Sequence, residues 1–231
     1  MISLADVDAA AAELTSLFKR GAKVIHIRPA PVPAAGGPRS LGHPAHDRIW
    51  SMLSEANIPV AFHLGDSGYL RYAAAWGGRP DFEPFAAQDP LDQILVDDRA
   101  IYDTMASLIA HGVFTRHPKL RVASIENGSD WVAILAKRLR KKANQMPEFF
   151  PKDPLEVMRS NVWVAPYYEE DVPALAKCIS VDKVLFGSDW PHGEGLASPI
   201  SFTHELKGFS PEETRKVMRD NAIDFLGFTP N

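Results

Sequence analysis

The sequence predicts an α/β fold built on a parallel sheet, and three observations carry that prediction. Strand-like and helix-like stretches alternate along the chain, one helix and then five strand–helix units, the pattern of parallel strands joined by helical crossovers. The strand runs show little polar alternation and much Val, Ile, Ala and Phe, as expected where both sheet faces are buried. No G-x-G-x-x-G follows any of the strands, which weakens a dinucleotide-binding version of such a sheet. Two architectures fit: an open doubly wound sheet, or part of a (β/α)₈ barrel.

The elements follow in order. Asp6 can cap a first helix, Ala9 to Ala12 favour it, and Gly21 can close it. Lys23 to Arg28 reads as a strand stopped by Pro29, and residues 29–42, rich in Pro, Gly and Ala, read as a loop. A helix over 44–57 leads into a second strand, Ile58 to His63. Gly65 to Pro90 is a long segment carrying Trp76 and several prolines; a loop of that length in a compact domain is commonly a lid. Helix 97–115 presents Ile101, Met105, Leu108 and Ile109 on one face. Leu120–Glu126 is the third strand and Asp130–Lys142 its helix; Asn161–Tyr167 is the fourth strand and Asp171–Ser180 its helix. Val184–Asp189 is the fifth strand, and a capping box at Ser210-Pro-Glu-Glu213 starts a last helix that runs to about Leu226.

Composition bounds the function. The 231 residues form one expected domain, 1–231, with 45% hydrophobic and 23% charged residues. A net charge of −4 gives no electrostatic reason to expect nucleic acid or an anionic membrane as partner. One cysteine, Cys178, forms no intrachain disulfide, and the N-terminus lacks a basic region followed by an apolar stretch; both point to a cytoplasmic protein. The expected partner is a small-molecule substrate, with a homo-oligomer left open.

The position of the polar residues points to chemistry. His63, Glu126 and Asp189 end three of the strands, and Arg28 ends the first. In parallel α/β proteins the C-terminal strand ends build the active site. Each residue also has a plain structural reading: a hydrogen-bonded histidine, a helix cap, an arginine paired with a helix carboxylate. Together they favour a site. Imidazole and carboxylate suit a divalent transition metal. Asp189 could ligate the ion or act as a base, Glu126 could move a proton, and Arg28 could hold a substrate carboxylate through two parallel hydrogen bonds.

Val184-Leu-Phe-Gly-Ser-Asp-Trp-Pro-His192 resembles the strand-eight motif of the amidohydrolase-related family, the aminocarboxymuconate-semialdehyde decarboxylase-like metal-dependent hydrolases and decarboxylases. Gly112 to Val122 resembles the stretch leading into strand six, and Ile58 to His63 resembles strand five. The resemblance implies a (β/α)₈ TIM barrel with one divalent ion, zinc or manganese. It makes His63 a metal ligand and Asp189 a ligand and, in hydrolytic members, the base. The activity implied is hydrolysis or non-oxidative decarboxylation of a small carboxylate or aromatic acid.

Two departures accompany it. The strand-six position, commonly a histidine, is Glu126 here. Nothing matches the family's strand-one metal-binding motif, and the first strand aligns best with strand four. The expectation is therefore strands four to eight of a barrel, strands one to three missing, and an ion held weakly or absent; an inactive fragment or scaffold is the alternative. His192, just after the fifth strand, could reach the substrate. His43 and His46 have a spacing that can ligate zinc, but Pro44 interrupts, and a structural role leads. His117 is expected to cap or face solvent, Lys137–Lys142 to form a solvated helix face, and Trp76 and Tyr69 either to cover the mouth or to pack in their loop.

Overall fold

Helix α1 (Val7–Lys19) opens the chain, with the Asp6 carboxylate accepting from the backbone N–H groups of Asp8 and Ala9, each at 3.0 Å. This computed structural model describes residues 1–79, 81, 83, 89–193 and 195–227. Strand β1 (Ile25–Ile27) is followed by α2 (Asp47–Glu55), β2 (Val60–His63), α3 (Leu70–Ala74), α4 (Pro90–Val96), α5 (Arg99–Ala110) and α6 (Val113–Arg116). Then come β3 (Val122–Ile125), α7 (Asp130–Gln145), α8 (Pro154–Asn161), β4 (Val162–Val164) and α9 (Val172–Ile179). The last helix forms in pieces: α10 (Pro211–Arg215), a π-turn over Lys216–Asp220, and α11 (Asn221–Leu226).

The sheet runs β1-β2-β3-β4, every pair parallel, as the unbroken strand–helix alternation predicts. Its register sets residues in rows. Ile25, Val60, Val122 and Val162 lie side by side, and so do His26, Ala61, Ala123 and Trp163. Alternation gives each row one face. The first row, with Ile27, Phe62 and Val164, packs with Leu14, Trp50, Leu53, Met105 and Trp131 of the helices. The second row turns to the other face, where Ala123, Trp163, Ala165 and Leu185 form a smaller cluster closed by Phe225 of α11.

The expected fifth strand is shorter than its sequence suggests. Val184 makes a single parallel bridge with Val164, and the Leu185 N–H donates to the Val164 carbonyl at 2.8 Å. The next rung would need an N–H at residue 166, which is a proline. On its other side the Phe186 N–H donates to the Val217 carbonyl, in the π-turn, at 3.2 Å. At the opposite edge of the sheet the Ile2 N–H donates to the His26 carbonyl at 3.0 Å.

Other differences are local. The 44–57 helix begins as a 3₁₀ turn, Pro44–His46, with the His43 ring capping Ala45 N–H. Helix 97–115 divides at Gly112, which adopts φ 70°. Helix α8 falls where no element is expected; Asp153 caps it with Pro154 at its first turn, a start signal legible in the sequence. The expected lid contains α3 and the first residue of α4, while residues 80, 82 and 84–88 lie outside the described residues. Among the described residues no helix is long and apolar enough to cross a membrane.

Two buried asparagines fasten the bottom of the sheet. Asn161 donates to the Pro118 and Leu120 carbonyls at 3.0 and 2.8 Å, and Asn221 donates to the Val181 and Val184 carbonyls, both at 2.7 Å. The loop before α2 lies flat on α5: a Cβ on Gly42 would overlap the Ser107 carbonyl and sit 2.9 Å from the His111 Cβ. Gly42→Ala should therefore lower unfolding stability by about 1–3 kcal/mol through overpacking. Gly36→Ala, where nothing lies within 4 Å, should stay within about 0.5 kcal/mol of the parent. Urea unfolding of the two variants checks this.

Candidate active site

His63 is the last residue of β2 and shares the inner face with Ala61 and His26. Its Nδ1 lies 2.9 Å from the Leu64 carbonyl, so that nitrogen carries the proton and donates. Its Nε2 faces the Glu126 carboxylate at 2.8 Å.

Glu126 reaches His63 only because the backbone breaks the alternation of β3. Strict period two would place it with Val122 and Ser124 on the helix-covered face. Instead Glu126 adopts φ 56°, a left-handed conformation, which costs a non-glycine residue roughly 1–3 kcal/mol unless its surroundings hold it. Asn127 clasps the two strand ends: its Nδ2 donates to the Phe62 carbonyl at 3.1 Å and to the Ile125 carbonyl at 2.6 Å. The Tyr167 hydroxyl donates to the Glu126 carbonyl at 3.1 Å.

Asp189 ends the fifth extended segment and is also left-handed, at φ 55°. The turn after it folds back. The His192 N–H donates to the Asp189 carbonyl and the Leu196 N–H to the Ser188 carbonyl, both at 2.8 Å. This brings the His192 ring to the carboxylates. Ligand atoms of Glu126, Asp189 and His192 lie within 4.8 Å of one another; the two acids are half-buried and the histidine is exposed. His63 joins this group through Glu126.

The surroundings are rich in negative charge. Burial raises the Tyr167 phenol, and Asp97, Glu126, Glu170 and Asp189 push it further. Burial likewise raises Asp97, helped by Asp98, and raises Asp98, helped by Asp130. The His26 imidazole is lowered, first by burial and then by His63 and the N-terminal ammonium. Its ring stands 5.6 Å from that of His63, and its Nε2 is buried without a hydrogen-bond partner among the described residues. Such a mouth favours a cation.

Of the residues expected to form a site, His63, Glu126, Asp189 and His192 are brought together. Arg28 is not joined to them: it is exposed just beyond β1 and makes no hydrogen bond or ion pair among the described residues. Its short strand ends at Ile27, so Arg28 lies outside the paired residues. His43 and His46 serve structure, His46 being buried with Nδ1 3.3 Å from the Leu41 carbonyl. His117 does not face solvent; its side chain is 13% exposed and lies 3.7 Å from Asp47. Lys137, Arg138 and Arg140 to Lys142 are exposed on α7, whose Leu139 is buried. Trp76 is exposed, whereas the Tyr69 hydroxyl donates to Asp103 at 2.8 Å.

Sequence reasoning missed Asn127, Tyr167 and Glu170. Tyr167 precedes the acidic stretch Glu169–Asp171 after β4 and Glu170 lies within it, near a strand end like the residues it singled out. The Glu170 carboxylate accepts from Ser129 N–H at 2.7 Å, from the Ser129 hydroxyl at 2.9 Å and from Tyr167 N–H at 2.8 Å.

The profile of a family described as amidohydrolase matches residues 2–228. The chain is similar to the crystal structure of an amidohydrolase from Mycobacterium avium subsp. paratuberculosis K-10, with 63% identity and a TM-score of 0.92 over 98% of this chain and 57% of that one. It is 29% identical to the 2-amino-3-carboxymuconate-6-semialdehyde decarboxylase of Dictyostelium discoideum over 133 residues, 55% of this chain and 36% of the relative. The fold is also that of 5-carboxyvanillate decarboxylase from Novosphingobium aromaticivorans, a complex with manganese and 4-hydroxy-3-methoxy-5-nitrobenzoic acid, at TM-score 0.73 and 19% identity over 99% of this chain and 63% of that one. The chain thus spans just over half of the mycobacterial protein and about a third of the curated relative.

A Cβ on Gly195 would lie 2.6 Å from the Asp189 carbonyl oxygen and 2.7 Å from that of Ser188. Gly195→Ala should force the turn off these carbonyls and carry His192 away from Glu126 and Asp189. Gly193→Ala, with nothing within 4 Å of its Cβ, should leave His192 in place. Crystal structures of the two variants check the contrast.

Proposed function

This chain belongs to the amidohydrolase family, and from that premise we propose that it supplies strands four to eight of a (β/α)₈ barrel enzyme that holds one divalent metal ion, zinc or manganese. Its substrate is a small carboxylate or aromatic acid, and the reaction is non-oxidative decarboxylation or hydrolysis. The decarboxylases among its relatives and fold neighbours favour the first. The observation that carries the reading is the gathering of His63, Glu126, Asp189 and His192 at the C-terminal ends of parallel strands.

The donor set suits such an ion. His63 donates Nδ1–H to a backbone carbonyl, the support a metal-ligating imidazole ordinarily has, which fixes its tautomer and turns Nε2 to the ion. His63 and Asp189 are assigned as ligands. His192, assigned to the substrate, has a second reading as a ligand because it lies with Glu126 and Asp189. An ion held by these residues would supply Lewis-acid polarisation of a substrate oxygen.

The remaining work falls to side chains of this chain. Arg28, exposed beyond β1, receives a substrate carboxylate. Glu126 moves the proton. In decarboxylation the bond from the ring or chain carbon to the carboxylate breaks, carbon dioxide leaves, and that carbon takes a proton in its place. Glu126, within 4.8 Å of Asp189 and His192, delivers it.

The chain by itself should bind added zinc or manganese weakly in titration, and the barrel enzyme it contributes to should release carbon dioxide from one or more members of a panel of hydroxybenzoates and carboxymuconate-like acids. His63→Ala and Asp189→Ala should each lower metal affinity by about 100-fold or more, and Glu126→Gln should leave metal content intact while turnover falls about 10²–10⁴-fold. Equal metal content in the parent and both ligand variants would sink the assignment.

A further inference from the structure

We propose that Tyr167 and Glu170 are positioning residues that hold the Glu126 carboxylate against His63. The proposal rests on the reading of Glu126 as the group that moves the proton.

Glu126 occupies a backbone conformation that does not follow from its strand. At φ 56° it leaves the alternation of β3 and turns its side chain to the inner face. Something must hold that turn from outside the strand. The Tyr167 hydroxyl, donating to the Glu126 carbonyl at 3.1 Å, attaches directly to the strained peptide. Tyr167 is itself held. Its N–H donates to one oxygen of Glu170 at 2.8 Å, and the Glu170 N–H closes a turn onto the Tyr167 carbonyl at 3.3 Å.

Glu170 also grips the other side of the bend. Its second oxygen accepts the Ser129 N–H at 2.7 Å, and the Ser129 hydroxyl reaches the first oxygen at 2.9 Å. Between them lies Gly128, at φ 59°, where a Cβ would meet the Glu170 carboxylate at 2.7 Å and the Tyr167 ring at 3.0 Å. The segment from Glu126 to Ser129 is therefore clamped at its first carbonyl by Tyr167 and at its last N–H by Glu170. Both carboxylate oxygens receive a backbone N–H. In Glu170→Gln an amide nitrogen on either side would face a backbone donor, so at least one of the two attachments is lost in any orientation.

The test reads the His63 ring, which touches Glu126 and neither of the proposed residues. Long-range proton–nitrogen spectra of the protein dialysed against chelator report the hydrogen bond at His63 Nε2. Glu126→Gln sets the signature of its loss. Tyr167→Phe and Glu170→Gln are expected to shift the Nε2 resonance most of the way to that position. Asn161→Ala, which breaks a clasp at the opposite end of the sheet, is expected to leave it unmoved. If Tyr167→Phe and Glu170→Gln leave Nε2 where the parent has it while Glu126→Gln moves it, the positioning role is wrong and the reading of Glu126 stands. If Asn161→Ala shifts it equally, the effect is general loosening and the proposal fails. If Glu126→Gln itself produces no shift, the His63–Glu126 contact is absent and the reading beneath the proposal fails with it.

Discussion

A strand residue in a sheet sealed on one side by helices has two directions open to it, and only one leads to a cavity. Here the helix-covered side is filled by Ile25, Ile27, Val60, Phe62, Val122, Val162 and Val164, all nearly or fully buried. Polar chemistry must therefore collect on the other side or at the strand ends. The in-register parallel pairing turns this choice into whole rows, so one misplaced residue would conflict with its neighbours on every strand. His26 and His63 follow the rule. Glu126 escapes it through a left-handed peptide, and the clasps of Asn127, Tyr167 and Glu170 surround that exception.

This explains which parts were legible in the sequence. The βα order, the parallel sheet and the strand ends could be read from β-branched runs and from the groups that close them. His63, Glu126 and Asp189 stood out because each ends such a run. What could not be read was the direction of Glu126, since alternation alone sends it outward; a positive φ on a glutamate has no local sequence signature. Pro166 was visible, yet its effect depends on which neighbour would have used its missing N–H, and that is a matter of pairing. Arg28 was singled out on the same ground as the others, but β1 ends at Ile27, one residue short of it.

The charge around the site sets a further condition. Asp97, Glu126, Glu170 and Asp189 crowd Tyr167, and burial discourages the ionised forms of Asp97 and its neighbour Asp98. An anionic substrate would meet this field at a disadvantage unless a cation stood between.

The π-turn at Lys216–Asp220 makes the last helix sensitive to length. Its wider turn lets the Val217 carbonyl reach Phe186 while Asn221 and Phe225 still face the sheet. Wound as ordinary α-helix, the same residues would carry everything beyond them roughly a quarter turn further round. Asn221 would leave the Val184 carbonyl, and Phe225 would leave Trp163. The turn takes up one residue more than ordinary winding would, and the facing of α11 against the sheet depends on its staying wide.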